Sequence, residues 1–294
     1  MATISYDKME GSIWYNGEMR PWEDAQAHVL THGLHYASSV FEGERVYGGE
    51  IFKLGEHTDR LINSATLLDF KIPYTADEIN AACRETVLKN NIVDGYVRPV
   101  AWRGSEMMGV SAQENRINLA IAVWQWPSYF DPAMRSVGIR LKTSKWRRPD
   151  PRTAPVHSKA AGLYMICTLS KHAVEAEGYD DALMLDWRGQ VAESTGANIF
   201  FVIDGKLHTP IPDCFLDGIT RRTVIELAKA RGYEIIERVI MPEDMADATE
   251  CLLTGTAAEV TPVGEIDDYR FKPGAITAQL IEDFDNLVRR KAAA

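Results

Sequence analysis

The chain has 294 residues, 46% hydrophobic and 25% charged, enough apolar material for one large core or two moderate ones. Its formal net charge of -10 excludes the broad positive surface that nucleic acid or an anionic membrane requires, and no segment reaches the roughly 18 uninterrupted apolar residues of a membrane span. The four cysteines, Cys83, Cys167, Cys214 and Cys251, lie far apart without a CxxC pair, which argues against a zinc site or disulfide framework and for isolated buried thiols.

The opening residues lack the apolar core of a signal peptide, so the expected compartment is the cytoplasm. "SIWYNGEM" then reads as a hairpin turned at Asn16-Gly17, a dipeptide that accepts the positive φ angles of a tight turn. "ERVYGGEIFKL" repeats the pattern around Gly48-Gly49. "HTDRLINSATLLDF" spaces Leu61, Ala65 and Leu68 at helical intervals, and "TADEINAACRETVLKNN" opens with the capping box Thr75-x-x-Glu78 ahead of Ile79, Cys83 and Val87. Strands resume with "YVRPVAW" and "INLAIAVWQW", and the turn residues of "PSYFDPAMRS" mark a linker. This pattern predicts a small α/β domain at 1–126, an interdomain loop at 127–135 and a larger domain at 136–294.

The larger domain begins with the strand "VGIRLKTS"; the basic, proline-containing run "KWRRPDPR" that follows reads as a loop. A helix containing Tyr164 to His172 comes next. "DALMLDWRGQVAE" and "ANIFFVIDGKLHTP" form two hairpin-like units turned at Arg188-Gly189 and Asp204-Gly205, and "GITRRTVIELAKARGY" is a helix with Val224, Leu227 and Ala228 on one face. Hairpins and helices without strict βαβ alternation give an α+β architecture.

The chemistry concentrates in a few stretches. "PVHSKAAGLY" sets Lys159 beside Ala160, Ala161 and Gly162, small residues that let a flat ring approach, with the Tyr164 hydroxyl five positions on. A lysine amine held in such a place can bond covalently to an aldehyde. A phosphorylated pyridine aldehyde also needs an acid at its ring nitrogen and donors for its phosphate. Glu193 stands at a strand end before a Ser-Thr-Gly turn. Gly218 precedes a helix whose first amides belong to Ile219 and Thr220, a ready anion cup; Thr256 with the backbone of Ala257 offers a second such turn, and Arg60 brings charge. Each feature alone has an ordinary structural explanation, a solvated lysine or a common turn. Their combination is harder to assign to chance.

From "WYNGEM" and "HGLHYASSVFEGER" through "YVRPV", "MGV", "HSKAAGLY", "AESTGANIF" and "GITR" to "TGTAAEVTPV", these motifs run in one family's order over nearly the whole chain. The sequence resembles the branched-chain amino acid aminotransferases, fold type IV enzymes that use pyridoxal 5′-phosphate (PLP). The resemblance implies a D-amino acid aminotransferase-like fold, a small α/β domain plus a larger pseudo-barrel domain. It implies that Lys159 bonds to PLP and carries a proton between substrate Cα and the cofactor C4′. It places Glu193 at the pyridine nitrogen, Tyr164 at the phenolate oxygen, and Arg60, Gly218, Ile219, Thr220 and Thr256 around the phosphate. The substrate carboxylate would meet Thr256 and Ala257, supported by Tyr96 and Arg98. Phe41, Trp126 and Tyr129 would line the side-chain pocket with Gly43 and Arg45, and Tyr36 would reach in from a partner subunit.

The implied activity transfers the amino group of L-leucine, L-isoleucine or L-valine to 2-oxoglutarate by a ping-pong route, in a homo-oligomer no smaller than a dimer and without a metal. D-amino acid transaminases and (R)-selective amine transaminases share the fold and remain alternatives. D-specific relatives add a histidine soon after the strand equivalent to "YVRPV"; this chain has none between His57 and His157. Arg98 is the first candidate for the γ-carboxylate of 2-oxoglutarate. An aromatic pocket separates the branched side chains weakly, because one methylene is worth roughly 1–3 kcal/mol.

Overall fold

Asn16 (φ 52°) and Gly17 (φ 98°) turn the first hairpin, joining β1 (Ser12–Tyr15) to β2 (Glu18–Pro21) as their dipeptide predicts. The computed structural model describes residues 5–126 and 133–289, which divide into two units. The first holds 5–126 and 158–162, the second 133–157 and 163–289. Most of the 127–135 linker lies outside the described residues, and the short segment with Lys159, expected in the larger domain, groups with the first unit.

The first unit continues with α1 (His32–Tyr36), β3 (Ser39–Phe41), β4 (Glu44–Tyr47), β5 (Glu50–Ile51), α2 (Leu54–Leu67), α3 (Ala76–Lys89), β6 (Gly95–Arg103) and β7 (Ile117–Gln125). Its strands pair antiparallel in the order β2-β1-β7-β6-β4-β5, with β3 also on β6. The two-residue period of a strand then divides β6 between two environments. Val97 and Ala101 enter a core with Leu61, Ala65, Ile79, Cys83 and Val87 of α2 and α3. Tyr96, Arg98, Val100 and Trp102 take the other face, where Trp102 packs on Ile13 and Ala120. The capping box closes in both directions: Thr75 Oγ1 accepts from the Glu78 N–H at 3.3 Å, and the Glu78 carboxylate accepts from the Thr75 N–H at 2.7 Å.

The second unit contains α4 (Met134–Val137), β8 (Ile139–Arg148), α5 (Met165–Glu175), β9 (Asp181–Asp186), β10 (Val191–Ser194), β11 (Asn198–Ile203), β12 (Lys206–Pro210), α6 (Ile219–Ala230), β13 (Ile235–Arg238), β14 (Glu250–Gly255), β15 (Glu259–Ile266), β16 (Tyr269–Arg270) and α7 (Ala275–Arg289). The order β10-β9-β8-β15-β14-β11, closed by β11 on β10, makes a six-stranded barrel of mixed direction. Leu141, Leu183, Val191, Ile199, Leu253 and Val263, one from each barrel strand, meet in a single core. Closure removes free edges from this ring.

One expectation is corrected here. The run "KWRRPDPR" is not all loop, because β8 extends to Arg148, with Arg147 opposite Leu185 and Arg148 opposite Asp186. Proline removes a ladder donor only where it stands, and Pro149 and Pro151 come after the last paired residue. All four cysteines are free and buried. Among the described residues, no helix is long and apolar enough to cross a membrane.

Candidate active site

Lys159 is held by its backbone. Its N–H donates to Ser64 Oγ of α2 at 2.9 Å, its carbonyl accepts from the Phe41 N–H at 3.2 Å, and Ala160 bridges to Val40. The side chain is thereby delivered to the Phe41 ring, with Nζ 5.2 Å from its centroid. The Arg98 guanidinium lies 4.8 Å from the same centroid and 5.3 Å from that of Tyr96. Arg98 reaches the Tyr96 hydroxyl at 3.5 Å, while its buried Nε–H has no hydrogen-bond partner among the described residues. A primary amine and a guanidinium thus share one aromatic platform.

Other expected residues of the first unit gather on this face of the sheet. The Tyr96 ring packs 5.4 Å from that of Trp126 and 5.2 Å from that of Trp124. Gly43 is required for this arrangement, since a Cβ there would stand 1.8 Å from the Tyr96 hydroxyl. Arg45, opposite Tyr96 in the ladder, lays its guanidinium 5.2 Å from the Tyr47 ring. A cavity of about 210 Å³ runs from Arg98 along Val100, Trp102, Ala120, Ala122 and Tyr15. Tyr36 is 45% exposed, stacked on His32 with its hydroxyl on the Met108 carbonyl at 3.1 Å, and the structure does not bring it to Lys159. Tyr129 lies outside the described residues.

Arg60 is the most constrained of the expected cations. Its Nε and Nη2 donate to the two oxygens of Glu42 at 2.6 and 2.8 Å, and His57 Nδ1 meets the same carboxylate at 2.7 Å. Burial holds the His57 imidazole below its usual range, so it is neutral and Nδ1–H is the donor. Although burial opposes charge on Glu42, Arg60 and then His57 overcome it and hold the carboxyl well below the usual carboxylate range.

The second unit carries the acid and the anion donors. Glu193 is 9% exposed; Arg148 Nε stands 3.4 Å from its Oε1, and Asn198 Nδ2 donates to Oε2 at 3.3 Å. Ladder register explains the grouping: Glu193 is opposite Asn198, which is opposite Thr254, so three neighbouring strands put these side chains in one row. Asn198 also donates to the Leu216 carbonyl at 3.0 Å and accepts from the Gly218 N–H at 3.1 Å. A Cβ on Gly218 would lie 2.2 Å from that oxygen. Gly218 is the N-cap of α6, so the amides of Ile219 and Thr220 have no carbonyl four residues back in the helix. Thr256 and Ala257 sit in the turn between β14 and β15, a strand–strand turn rather than a helix N-terminus. Tyr164 ends a short 3-10 turn ahead of α5, within the electrostatic reach of Arg148.

Burial pushes the Cys167 thiol up to about 11 and the Cys214 thiol up to about 12, so neither is a nucleophilic thiolate near neutrality. Four contributing residues were not assigned from the sequence: Glu42, Ser64, Arg148 and Asn198. Arg148 was hidden by the loop reading. Glu42 and Asn198 stood inside quoted motifs, but their roles depend on partners 18 and 20 positions away, which no local pattern displays.

These donor sets fit a phosphorylated pyridine aldehyde. A buried carboxylate facing the Arg148 guanidinium can accept a pyridinium N–H. Within the second unit the start of α6 suits an anion, and within the first Arg60 is a fixed cation and Lys159 a primary amine. The class these groups suit is a binder of a phosphorylated aldehyde cofactor.

The family model for class IV amino-transferases matches residues 39–266. A probable branched-chain-amino-acid aminotransferase of Rickettsia felis is 43% identical, over 98% of this chain and 100% of that one. The crystal structure of an Escherichia coli branched-chain amino acid aminotransferase matches with a TM-score of 0.93 at 37% identity, covering 96% of both chains. The T.th. branched-chain amino acid aminotransferase with pyridoxamine 5′-phosphate matches with a TM-score of 0.93 at 38% identity, covering 96% of this chain and 95% of that one. The chain belongs to the class IV aminotransferase family.

Proposed function

We propose that the protein moves the amino group of L-leucine, L-isoleucine or L-valine to 2-oxoglutarate in two half-reactions, giving a branched 2-oxo acid and L-glutamate. The observation that carries this reading is the pairing of Lys159 and Arg98 on the Phe41 ring: an amine, a carboxylate-binding cation and an apolar surface in one place.

When bound, PLP supplies an aldehyde for reversible C–N bonds and a ring that takes up the electron pair left at Cα. Lys159 Nζ would hold the aldehyde and would move a proton between substrate Cα and C4′. Glu193 holds the ring-nitrogen proton, with Arg148 Nε 3.4 Å from its Oε1. Tyr164 donates to the phenolate oxygen. Arg60, Ile219, Thr220 and Thr256 hold the phosphate, with Gly218 shaping the turn. Phe41, Tyr96 and Trp126 favour isobutyl and sec-butyl groups by removing apolar area from water, at about 25 cal/mol per Å². Arg98 meets the γ-carboxylate of 2-oxoglutarate, and the Thr256-Ala257 turn meets the α-carboxylate. The active form is a homodimer or larger, in which Tyr36 serves a neighbouring subunit.

The test is a set of single-turnover additions of L-leucine, D-alanine and (R)-1-phenylethylamine to the PLP-loaded protein without an acceptor, followed by absorbance. L-Leucine alone should discharge the long-wavelength band, and a Lys159→Ala protein should show no turnover. Rapid discharge by the amine or by D-alanine in place of L-leucine would overturn the substrate assignment.

A further inference from the structure

We propose that Glu42 is a positioning residue for the cofactor phosphate, acting through Arg60; the inference rests on the reading that Arg60 meets that phosphate. Glu42 is fully buried, and both of its carboxylate oxygens accept hydrogen bonds. Oε1 takes Arg60 Nε–H, while Oε2 takes Arg60 Nη2–H, His57 Nδ1–H and, at 3.3 Å, the Gly43 N–H. Its own N–H is tied to the Pro99 carbonyl at 2.9 Å. The carboxylate is therefore immobile from three sides: its own backbone, β6 and α2.

A guanidinium has five N–H donors in a rigid plane, and two parallel bonds to one carboxylate fix that plane. Glu42 takes those two bonds, so the rotation of the Arg60 fork is settled before any ligand arrives. The burial gradient runs the right way, for the Glu42 side chain is 0% exposed and that of Arg60 is 15%. The carboxylate is the inner support, and the guanidinium is the outer, ligand-facing group. Preorganisation of this kind lowers the ordering cost of binding. The charged groups around the pair are Glu44, two residues on at the start of β4, and Lys159 on the side of His57. Without Glu42, Arg60 would be pulled toward Glu44 or out to water.

The experiment compares apparent affinities of PLP and of pyridoxal, which lacks the phosphate, for the cofactor-stripped full chain and its variants. Folding of each variant is checked by circular dichroism and melting. Arg60→Gln should weaken PLP selectively, which tests the premise. Glu42→Gln should weaken PLP about 10-fold and leave pyridoxal within about 3-fold, in keeping with a single charge-assisted hydrogen bond weakened through an intervening residue. His57→Leu keeps the Glu42–Arg60 bonds and removes one support; it should give a smaller loss with the same selectivity, and it decides the matter if Glu42→Gln does not fold. Equal losses for the two ligands in the Glu42 and His57 variants, or none, alongside a selective loss in Arg60→Gln, would overturn the positioning role alone. No selectivity in Arg60→Gln would remove the phosphate role of Arg60 and this inference together.

Discussion

Glu44 sits two residues from Glu42 in a very different state. It is fully buried, and neither carboxyl oxygen has a hydrogen-bond partner among the described residues. Burial first, and then the neighbouring Glu42 charge, push its carboxyl well above the usual range, with Arg60 opposing. The sign of the consequence follows from proton counting. Once pH exceeds the ordinary carboxylate value, the unfolded chain releases this proton and the folded chain keeps it, so stability contributed by the neutral form declines as pH rises. Glu42 behaves oppositely: its ion pair stabilises above the ordinary carboxylate value and is lost as pH falls. Glu44→Gln, a neutral side chain of similar shape, should flatten the decline of melting temperature between about pH 5 and about pH 9 relative to the unaltered chain. Parallel melting curves over that range would mean that Glu44 is ionised in the folded protein. The sequence shows two glutamates in "FEGER" and cannot say which is paired, because the side-chain hydrogen-bonding partners of Glu42 come from α2, 15 and 18 positions on, while both Glu44 oxygens are buried without one among the described residues.

At the scale of elements, α3 shows what local sequence settles well. Thr75 Oγ1 accepts from the Glu78 amide and the Glu78 carboxylate closes back on Thr75, after which Ile79, Cys83 and Val87 enter the core at helical spacing. Thr75→Ala should cost about 1 kcal/mol in denaturant unfolding through loss of the cap, with no change in substrate turnover. A change within about 0.2 kcal/mol would mean that core packing fixes the helix start without the cap. The hairpins at Asn16-Gly17 and Gly48-Gly49 were legible for the same reason, since their φ requirements are written in adjacent residues. What was not legible was non-local. β8 runs on to Arg148 because β9 is there to pair with it, and β10 closes on β11 through the single register Glu193–Asn198. That closure brings the acid beside its supporting amide. Lys159 was readable as a candidate from small neighbours, but its anchoring by Ser64, 95 positions earlier, was not.

On the scale of the whole molecule, the surface of the first unit poses the largest question. Val29, Leu34 and Val110 are 69%, 72% and 84% exposed, and Leu30, Tyr36 and Met107 are exposed beside them in sequence. They belong to one ordered assembly: the Tyr36 hydroxyl binds the Met108 carbonyl, and the His32 ring binds Ser38 Oγ at 3.0 Å and the Gly109 carbonyl at 3.1 Å. Hydrogen bonds thus tie the two segments that carry these exposed apolar side chains to each other, and large exposed apolar area suits association. A second copy of the chain is the occupant proposed above, with Tyr36 carried to the neighbour. Under this reading the net charge of -10 acts against association only at long range, where salt screens it, while the patch is apolar and insensitive to salt. The protein should therefore sediment at no less than twice its chain mass of 32.9 kDa at roughly 10 μM, and remain so as salt is raised. Leu34→Glu, a change on a side chain that supports no internal core, should shift the species toward 32.9 kDa and reduce transamination while leaving the circular dichroism spectrum unchanged. A fully active 32.9 kDa species would show that each chain works alone and would remove the partner's Tyr36 from the site.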